Sequence, residues 1–328
     1  MEYYVKIGDT LYLLAKRFNT TIYGIIKRNN LNSYLLYPGQ KLIIPITTLP
    51  KGIYGLGSRG DKVRIIQQIL INMGYTLKSN GIYGPYTETT IINIQKKYPD
   101  LLIADGLYEP KTKLLLQNLY NSGYHIVQEP SSLLVVVNKN RVLLPTYTPN
   151  NLVIPNIPAA PEVMLRADAA KALEELFAKA KLDNIFLYGV SGYRSYDRQV
   201  SIFTANVKRH PNANFTSARP GESEHQTGLA IDVSSPSVGY RLSKAFADTP
   251  EGKWLQENAS EFGFIIRFSK GKEAITGYDY EPWHIRYVGK YAAQKIAAQK
   301  STLEEYLGVR TPSKQRKLLS TYIEIREF

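Results

Sequence analysis

The stretch Ser223-Glu224-His225-Gln226-Thr227-Gly228-Leu229-Ala230-Ile231-Asp232 sets one of the chain's four histidines seven residues before an aspartate, with mostly small and apolar residues after Thr227. Further on comes Tyr280-Glu281-Pro282-Trp283-His284, where a second histidine follows a glutamate by three. Neutral imidazole nitrogens and a carboxylate oxygen are the ligands a catalytic zinc ion takes when its fourth position stays open. The expectation is that His225, Asp232 and His284 hold zinc. The first pair alone is a moderate signal, because a buried histidine bonded to an aspartate is a common structural arrangement. The second knot adds to it. Pro282 has no backbone donor and breaks a helix interior, so Glu281 to His284 is not a metal-binding helix of the HExxH kind. It reads as an irregular strand entry that turns Glu281 and His284 toward one cavity. Of the other histidines, His125 falls in a linker and His210 precedes a proline in a polar loop.

Composition bounds what surrounds such a site. The 328 residues suffice for two or three domains, with a sizeable core in at least one. A hydrophobic fraction of 44% is ordinary for a globular protein and argues against general disorder. There is no cysteine, which removes disulfides, thiolate zinc sites and cysteine nucleophiles together. The formal charge of +13 points to an anionic partner, either nucleic acid or an anionic cell-wall polymer. Basic residues are scattered, with no dense run before Arg310 to Lys317, and no aromatic–basic module appears. Nucleic acid is therefore not the expected partner. The 25 tyrosines suit sugar stacking as well as strands. No run of about 18 apolar residues exists, so no membrane span is expected. Patterned structure starts at Glu2 and leaves no room for an apolar leader, so no signal peptide is expected.

Residues 1–47 read as strand–helix–helix–strand. Tyr3 to Ile7 is a short strand, Asp9 or Thr10 caps a helix bearing Leu11, Leu14 and Phe18, and Thr20-Thr21 caps a second bearing Ile22, Ile25 and Ile26. Pro38-Gly39-Gln40 turns the chain into the strand Lys41 to Pro45. Through Gly8-Asp9-Thr10-Leu11, Asn30 with a later Leu36, and Pro38-Gly39-Gln40, this unit resembles a LysM domain. The resemblance implies binding of N-acetylglucosamine polymers in a groove between the first turn and the loop around Asn30 to Leu36.

After a short linker, residues 52–121 carry an internal echo. Gly81-Ile82-Tyr83-Gly84-Pro85-Tyr86-Thr87 returns as Gly106-Leu107-Tyr108-Glu109-Pro110-Lys111-Thr112, each a tight turn with proline near a helix start. With an earlier helix bearing Val63, Ile66, Ile69 and Leu70, and with Gln95 after the first echo, the segment resembles the three-helix peptidoglycan-binding domain. That implies muropeptide binding.

Residues 131–307 mix strands and helices without regular βαβ alternation, so the third domain is expected to be α+β. Leu133 to Val137 reads as a strong strand, and Pro145 to Pro161 as an extended surface passage. Leu165, Ala169, Leu173, Leu176 and Ala180 mark a long amphipathic helix. Ile185 to Val190 reads as a buried strand, and a helix follows from about Asp197 to Val207. Later come the strand Phe264 to Phe268 and a closing helix Lys290 to Gln299. Residues 308–328 form a basic, then apolar tail with no assigned role.

A zinc site of this kind needs a proton acceptor that is not a ligand, and Glu281 fits as general base. Arg194, in a Gly-Tyr-Arg-Ser turn at the end of a buried strand, fits as the cation that holds an oxyanion. Ser195, Gln199 and Ser223 are candidate hydrogen-bond partners for a peptide backbone or terminal carboxylate, and Tyr193 joins them as a candidate substrate contact. Ser191-Gly192-Tyr193-Arg194-Ser195 with Gln199, the stretch from Ser223 to Asp232, and Glu281-Pro282-Trp283-His284 together resemble the VanY-like zinc D-alanyl-D-alanine carboxypeptidases. The resemblance implies the hedgehog/D,D-peptidase-like α+β fold, zinc on His225, Asp232 and His284, Glu281 as base, and Arg194 as oxyanion or substrate contact. It also implies removal of a C-terminal D-alanine from peptidoglycan stem peptides. L,D-carboxypeptidases of tetrapeptide stems are near relatives, and a wall-lytic endopeptidase or a non-catalytic wall-binding protein are the other readings. The partner expected is peptidoglycan, its glycan through residues 1–121 and its stem peptides in the third domain. The place expected is the bacterial wall or outside the cell, spore surface included.

Overall fold

The structure is a computed structural model that describes residues 1–209 and 217–309. His210 and nearly all of the C-terminal tail lie outside the described residues. Two units divide the chain, one of residues 1–125 and the other beginning at Ile126.

In the first unit Glu2–Tyr4 pairs antiparallel with Lys41–Ile43, Tyr3 facing Leu42. The helices Leu11–Arg17 and Ile22–Asn29 lie between them in sequence. Thr10 and Thr21 each accept a backbone N–H of the first helical turn, as N-cap threonines do. Three helices follow, Asp61–Asn72, Pro85–Lys96 and Pro110–Asn121, the last two opening on proline. Each half of the echoed turn is held by a buried glutamine of the preceding helix. Gln67 accepts from the Gly81 N–H (2.9 Å) and donates to Ile82 O (2.8 Å) and Thr87 Oγ1 (3.1 Å). Gln95 accepts from the Gly106 N–H (2.9 Å) and donates to Leu107 O (3.0 Å) and Thr112 Oγ1 (3.2 Å). Gly81 and Gly106 have φ of +76° and +79°, a region in which glycine alone is at ease.

The second unit is built on a four-stranded antiparallel sheet, in the order Tyr188–Ser191, Ala230–Ser234, Glu281–Tyr287, Phe264–Phe268. The amphipathic helix Ala167–Leu182 buries Ala169, Leu173, Leu176, Phe177 and Ala180 in the same core as Leu229, Ile231, Val233, Phe264 and Ile285. Each fully buried Leu, Ile or Phe there contributes about 1.5–3 kcal/mol. The expected strand Leu133 to Val137 is not one. Its backbone makes no ladder, and the carbonyls of Leu133 and Val135 accept instead from the Arg286 guanidinium, at 2.9 and 2.8 Å. Val135 and Val137 pack into one core and Val136 into another, which explains the strand-like run of valines. The strand expected from Ile185 begins only at Tyr188.

Candidate metal centre

The sheet register brings the site together. Asp232 and His284 are direct partners across the two central strands, and antiparallel partners hold their Cβ atoms about 4.5–5.5 Å apart. Here His284 Nδ1 lies 3.0 Å from Asp232 Oδ1. Residues three apart on a regular strand face opposite sides. Between Glu281 and Ile285, however, the register to the neighbouring strand shifts, and Glu281 and His284 line one cavity. Such irregularities recur beside active sites because they re-aim side chains.

His225 arrives by another route. It sits in the one-turn 3-10 helix Glu224–Thr227, which Gly228 (φ +68°) ends and turns into the strand bearing Asp232. His225 Nδ1 is 2.7 Å from the Gly192 carbonyl. A carbonyl only accepts, so Nδ1 carries the proton and Nε2 keeps its lone pair. That Nε2 is buried, has no hydrogen-bond partner among the described residues, and lies 3.3 Å from Asp232 Oδ2. All three side chains are buried, and one ligand atom from each lies within 4.8 Å of the others. Two imidazoles and a carboxylate converging with an unpartnered nitrogen fit a divalent metal ion of the zinc type.

The charges follow from the packing. Burial and the neighbouring Arg194 push the His225 imidazole down to about 4. Burial opposes ionisation of Asp232, but the two imidazoles outweigh it and hold the carboxyl well below the usual range. Burial likewise opposes charge on His284, yet the hydrogen bond with Asp232 and the nearby Glu224 carboxylate lift it to about 9 in the metal-free protein.

Around the three lies a cavity of about 220 Å³, lined among others by Arg194, Gln199, Ser223, Tyr278, Glu281 and Trp283. Glu281 Oε2 is 4.0 Å from His284 Nδ1. Burial raises the Glu281 carboxyl to about 7, although His284 pulls the other way; a base works best near the operating pH. Arg194 Nη2 stands 4.0 Å from Asp232 Oδ2, and its Nε has no hydrogen-bond partner among the described residues. Gln199 accepts from Arg194 Nη1 (3.2 Å) and donates to Ala218 O (2.7 Å), which fixes the guanidinium. Of the four candidate substrate contacts, Gln199 and Ser223 line the cavity, whereas Tyr193 and Ser195 do not. Ser195 Oγ instead accepts from the Arg198 N–H in the first turn of the helix Tyr196–Arg209.

The sequence reading missed the charges behind the candidate ligands. Arg267, Arg286, Glu224 and Glu304 are buried together beside His284. A lone arginine inside the apolar strand Phe264-Ile265-Ile266-Arg267-Phe268 was the available signal, since a buried guanidinium requires a carboxylate partner.

The four-stranded sheet, the buried His225–Asp232–His284 cluster and the adjoining Glu281 carboxylate together make up a candidate peptidase domain. A family model for the D-alanyl-D-alanine carboxypeptidase VanY matches residues 162–290, a LysM model matches 3–45, and a peptidoglycan-binding model matches 59–116. The chain is 50% identical over 191 residues to YodJ of Bacillus subtilis (strain 168), a protein assigned only provisionally as a carboxypeptidase; the match spans 56% of this chain and 70% of YodJ. It is 36% identical over 177 residues to VanXYC of Enterococcus gallinarum, named a bifunctional D-Ala-D-Ala dipeptidase and D-Ala-D-Ala carboxypeptidase, covering 53% of this chain and 92% of that one. Among solved structures, the LdcB LD-carboxypeptidase is 49% identical with a TM-score of 0.55, over 57% of this chain and 90% of LdcB. The chain belongs to the VanY-type D-alanyl-D-alanine carboxypeptidase family, and carries a LysM domain and a peptidoglycan-binding domain ahead of the family's own.

Proposed function

We propose that this chain is a zinc-dependent carboxypeptidase that removes the C-terminal D-alanine from peptidoglycan stem peptides. The observation that carries the reading is the convergence of His225, Asp232 and His284 on one cavity that also holds Glu281 and Arg194. His225 Nε2, Asp232 and His284 Nδ1 would hold zinc, which supplies Lewis acidity and a water of lowered pKa. Glu281 takes the proton of the attacking water and passes it to the departing D-alanine amine. Arg194, held by Gln199, stabilises negative charge on the scissile carbonyl oxygen or binds the terminal carboxylate. Ser223 and Gln199 orient the peptide.

The two N-terminal domains would tether the peptidase to glycan and raise its local substrate concentration without new contacts at the site. The place of action is then the cell wall. No described helix is long and apolar enough to cross a membrane. A second reading, an L,D-carboxypeptidase of tetrapeptide stems, draws support from the 49% identity to LdcB.

The test is mass analysis of muropeptides after digestion, with and without a chelator. Loss of one D-alanine from pentapeptide stems, abolished by the chelator, is expected. Loss from tetrapeptides alone would select the second reading. Cleavage within cross-links, or cleavage indifferent to the chelator, would sink both.

A further inference from the structure

Glu224 belongs to neither the ligand triad nor the catalytic pair, yet it is 2% exposed and flanked by two buried arginines. Its Oε1 accepts from Arg267 Nε (2.8 Å) and Arg286 Nη1 (2.6 Å). Arg267 is also paired two-pronged with Glu304, at 2.9 and 2.6 Å, and Asn138 donates to the same carboxylate at 3.0 Å. Arg286 spends its other donors on the carbonyls of Leu133, Val135 and Tyr287. The cluster holds two positive and two negative groups and is electrically balanced. Both guanidinium forks are committed to bonds that fix their planes.

One atom of this cluster is left over. Among the described residues Glu224 Oε2 has no hydrogen-bond partner, and it lies 3.6 Å from His284 Nε2, which has none either. At 3.6 Å this is an approach, longer than a hydrogen bond. The opposite ring nitrogen, Nδ1, faces Asp232 and Glu281 at 3.0 and 4.0 Å. Phe268 packs against the His284 ring at 4.8 Å between centroids, which limits its rotation. A buried ion cluster is weak evidence for stability, since apolar residues of similar volume often serve as well. Its placement against a ligand histidine therefore calls for another explanation.

We propose that Glu224 is a positioning residue for His284. Anchored through Oε1 by Arg267 and Arg286, it presents Oε2 to Nε2, accepts the Nε2 proton, and leaves the Nδ1 lone pair for the metal. Gly192 does the same for His225 from the other side, with a carbonyl in place of a carboxylate. Glu304, on the short helix Leu303–Tyr306, completes the charge balance that keeps Glu224 in place. The proposal rests on the metal reading of His225, Asp232 and His284. Partners of this kind orient ligand imidazoles, and their loss commonly weakens metal binding about 10–100-fold.

The experiment uses the full chain loaded with zinc. Long-range proton–nitrogen NMR of the wild-type His284 ring is expected to find the proton on Nε2. In Glu224→Gln the two guanidinium groups still demand an acceptor, so the amide oxygen stays with them and its NH2 turns toward Nε2. That favours the wrong tautomer. Zinc affinity, measured by competition with a chromophoric chelator, should fall about 10–100-fold while far-UV circular dichroism stays native. A proton on Nδ1 in the wild-type zinc protein overturns the proposal, and so does unchanged zinc affinity in a folded Glu224→Gln. If that variant does not fold, the wild-type spectrum decides alone. A wild-type chain that takes up no zinc overturns this proposal together with the site reading, whereas tight zinc binding with the wrong tautomer overturns only the proposal.

Discussion

The helical part of the first unit and the candidate metal centre both bury polar side chains among apolar neighbours, and they treat them in opposite ways. Gln67 and Gln95 use both ends of their amides, each accepting a glycine N–H and donating to a carbonyl one residue on. At the centre, His225 Nε2, His284 Nε2, Arg194 Nε and Glu224 Oε2 are buried with no hydrogen-bond partner among the described residues. Buried polar atoms are normally satisfied, and an orphan costs about 1–3 kcal/mol. Satisfied amides hold a turn; orphans gathered round one cavity mark a place where something is bound. Polarity in the core thus separates structure from chemistry only when each atom is followed to its partner.

The largest effect should come from breaking the chemical side of this contrast. Glu281→Gln keeps the shape of the side chain but removes the proton acceptor. Release of D-alanine is expected to fall about 10²–10⁴-fold, with zinc content unchanged because Glu281 is not one of the three proposed ligands. Measuring both on one preparation separates the roles. A variant that keeps wild-type turnover removes Glu281 from the mechanism, and one that loses zinc makes it a ligand.

A second effect sharpens the contrast through pH, because imidazoles titrate and amides do not. In the metal-free protein His284 rises from an ordinary value near 6.5 to about 9. A group whose folded pKa is raised contributes stability that is complete below the unfolded value and disappears as pH climbs through the folded one. Between pH 6 and 9.5 the chelated protein should therefore lose up to roughly 3 kcal/mol, read as a falling urea midpoint. With zinc the slope should reverse, since metal binding needs deprotonated ligands and tightens as pH rises. A flat midpoint under chelator would show that the Asp232–His284 contact does not hold the imidazolium.

How far the sequence reached can be traced along the same line. His225, Asp232, His284, Glu281 and Arg194 could be picked out together because their residue types and spacings are those of a known chemistry, and the structure gathers them round one cavity. The echoed turns were legible because glycine and proline report backbone geometry directly. Leu133 to Val137 misled, since a run of valines signals burial on two sides and leaves open what satisfies the backbone; here it was the Arg286 guanidinium. Ser195 Oγ accepts a helix N–H, and residue type alone does not separate that cap from a substrate contact. Glu224 and Glu304 were invisible because their meaning lies in partners more than thirty residues away in sequence.

The smallest effect tests the structural side. Gln95→Ala strips the partner from the buried Gly106 N–H and removes one of the two donors to the Leu107 carbonyl, which keeps the Thr112 hydroxyl. The expected loss is about 1–3 kcal/mol, confined to the unit that contains residues 1–125. Thermal unfolding should show a lowered transition for that unit, and binding to insoluble peptidoglycan should weaken with it. Zinc affinity and release of D-alanine from short soluble peptides should not change, because neither draws on the helical turn. Gln67→Ala, which strips the Gly81 N–H and removes one of two donors to the Ile82 carbonyl, should match it closely if the two halves of the echo are equivalent. A large difference between the two would mean that Asn80 or Asp105, which also accept from these amides at 3.2 and 3.1 Å, carry unequal shares of the turn. A fall in zinc affinity in either variant would break the comparison itself, because the amides would then be tied to the chemistry they were set against.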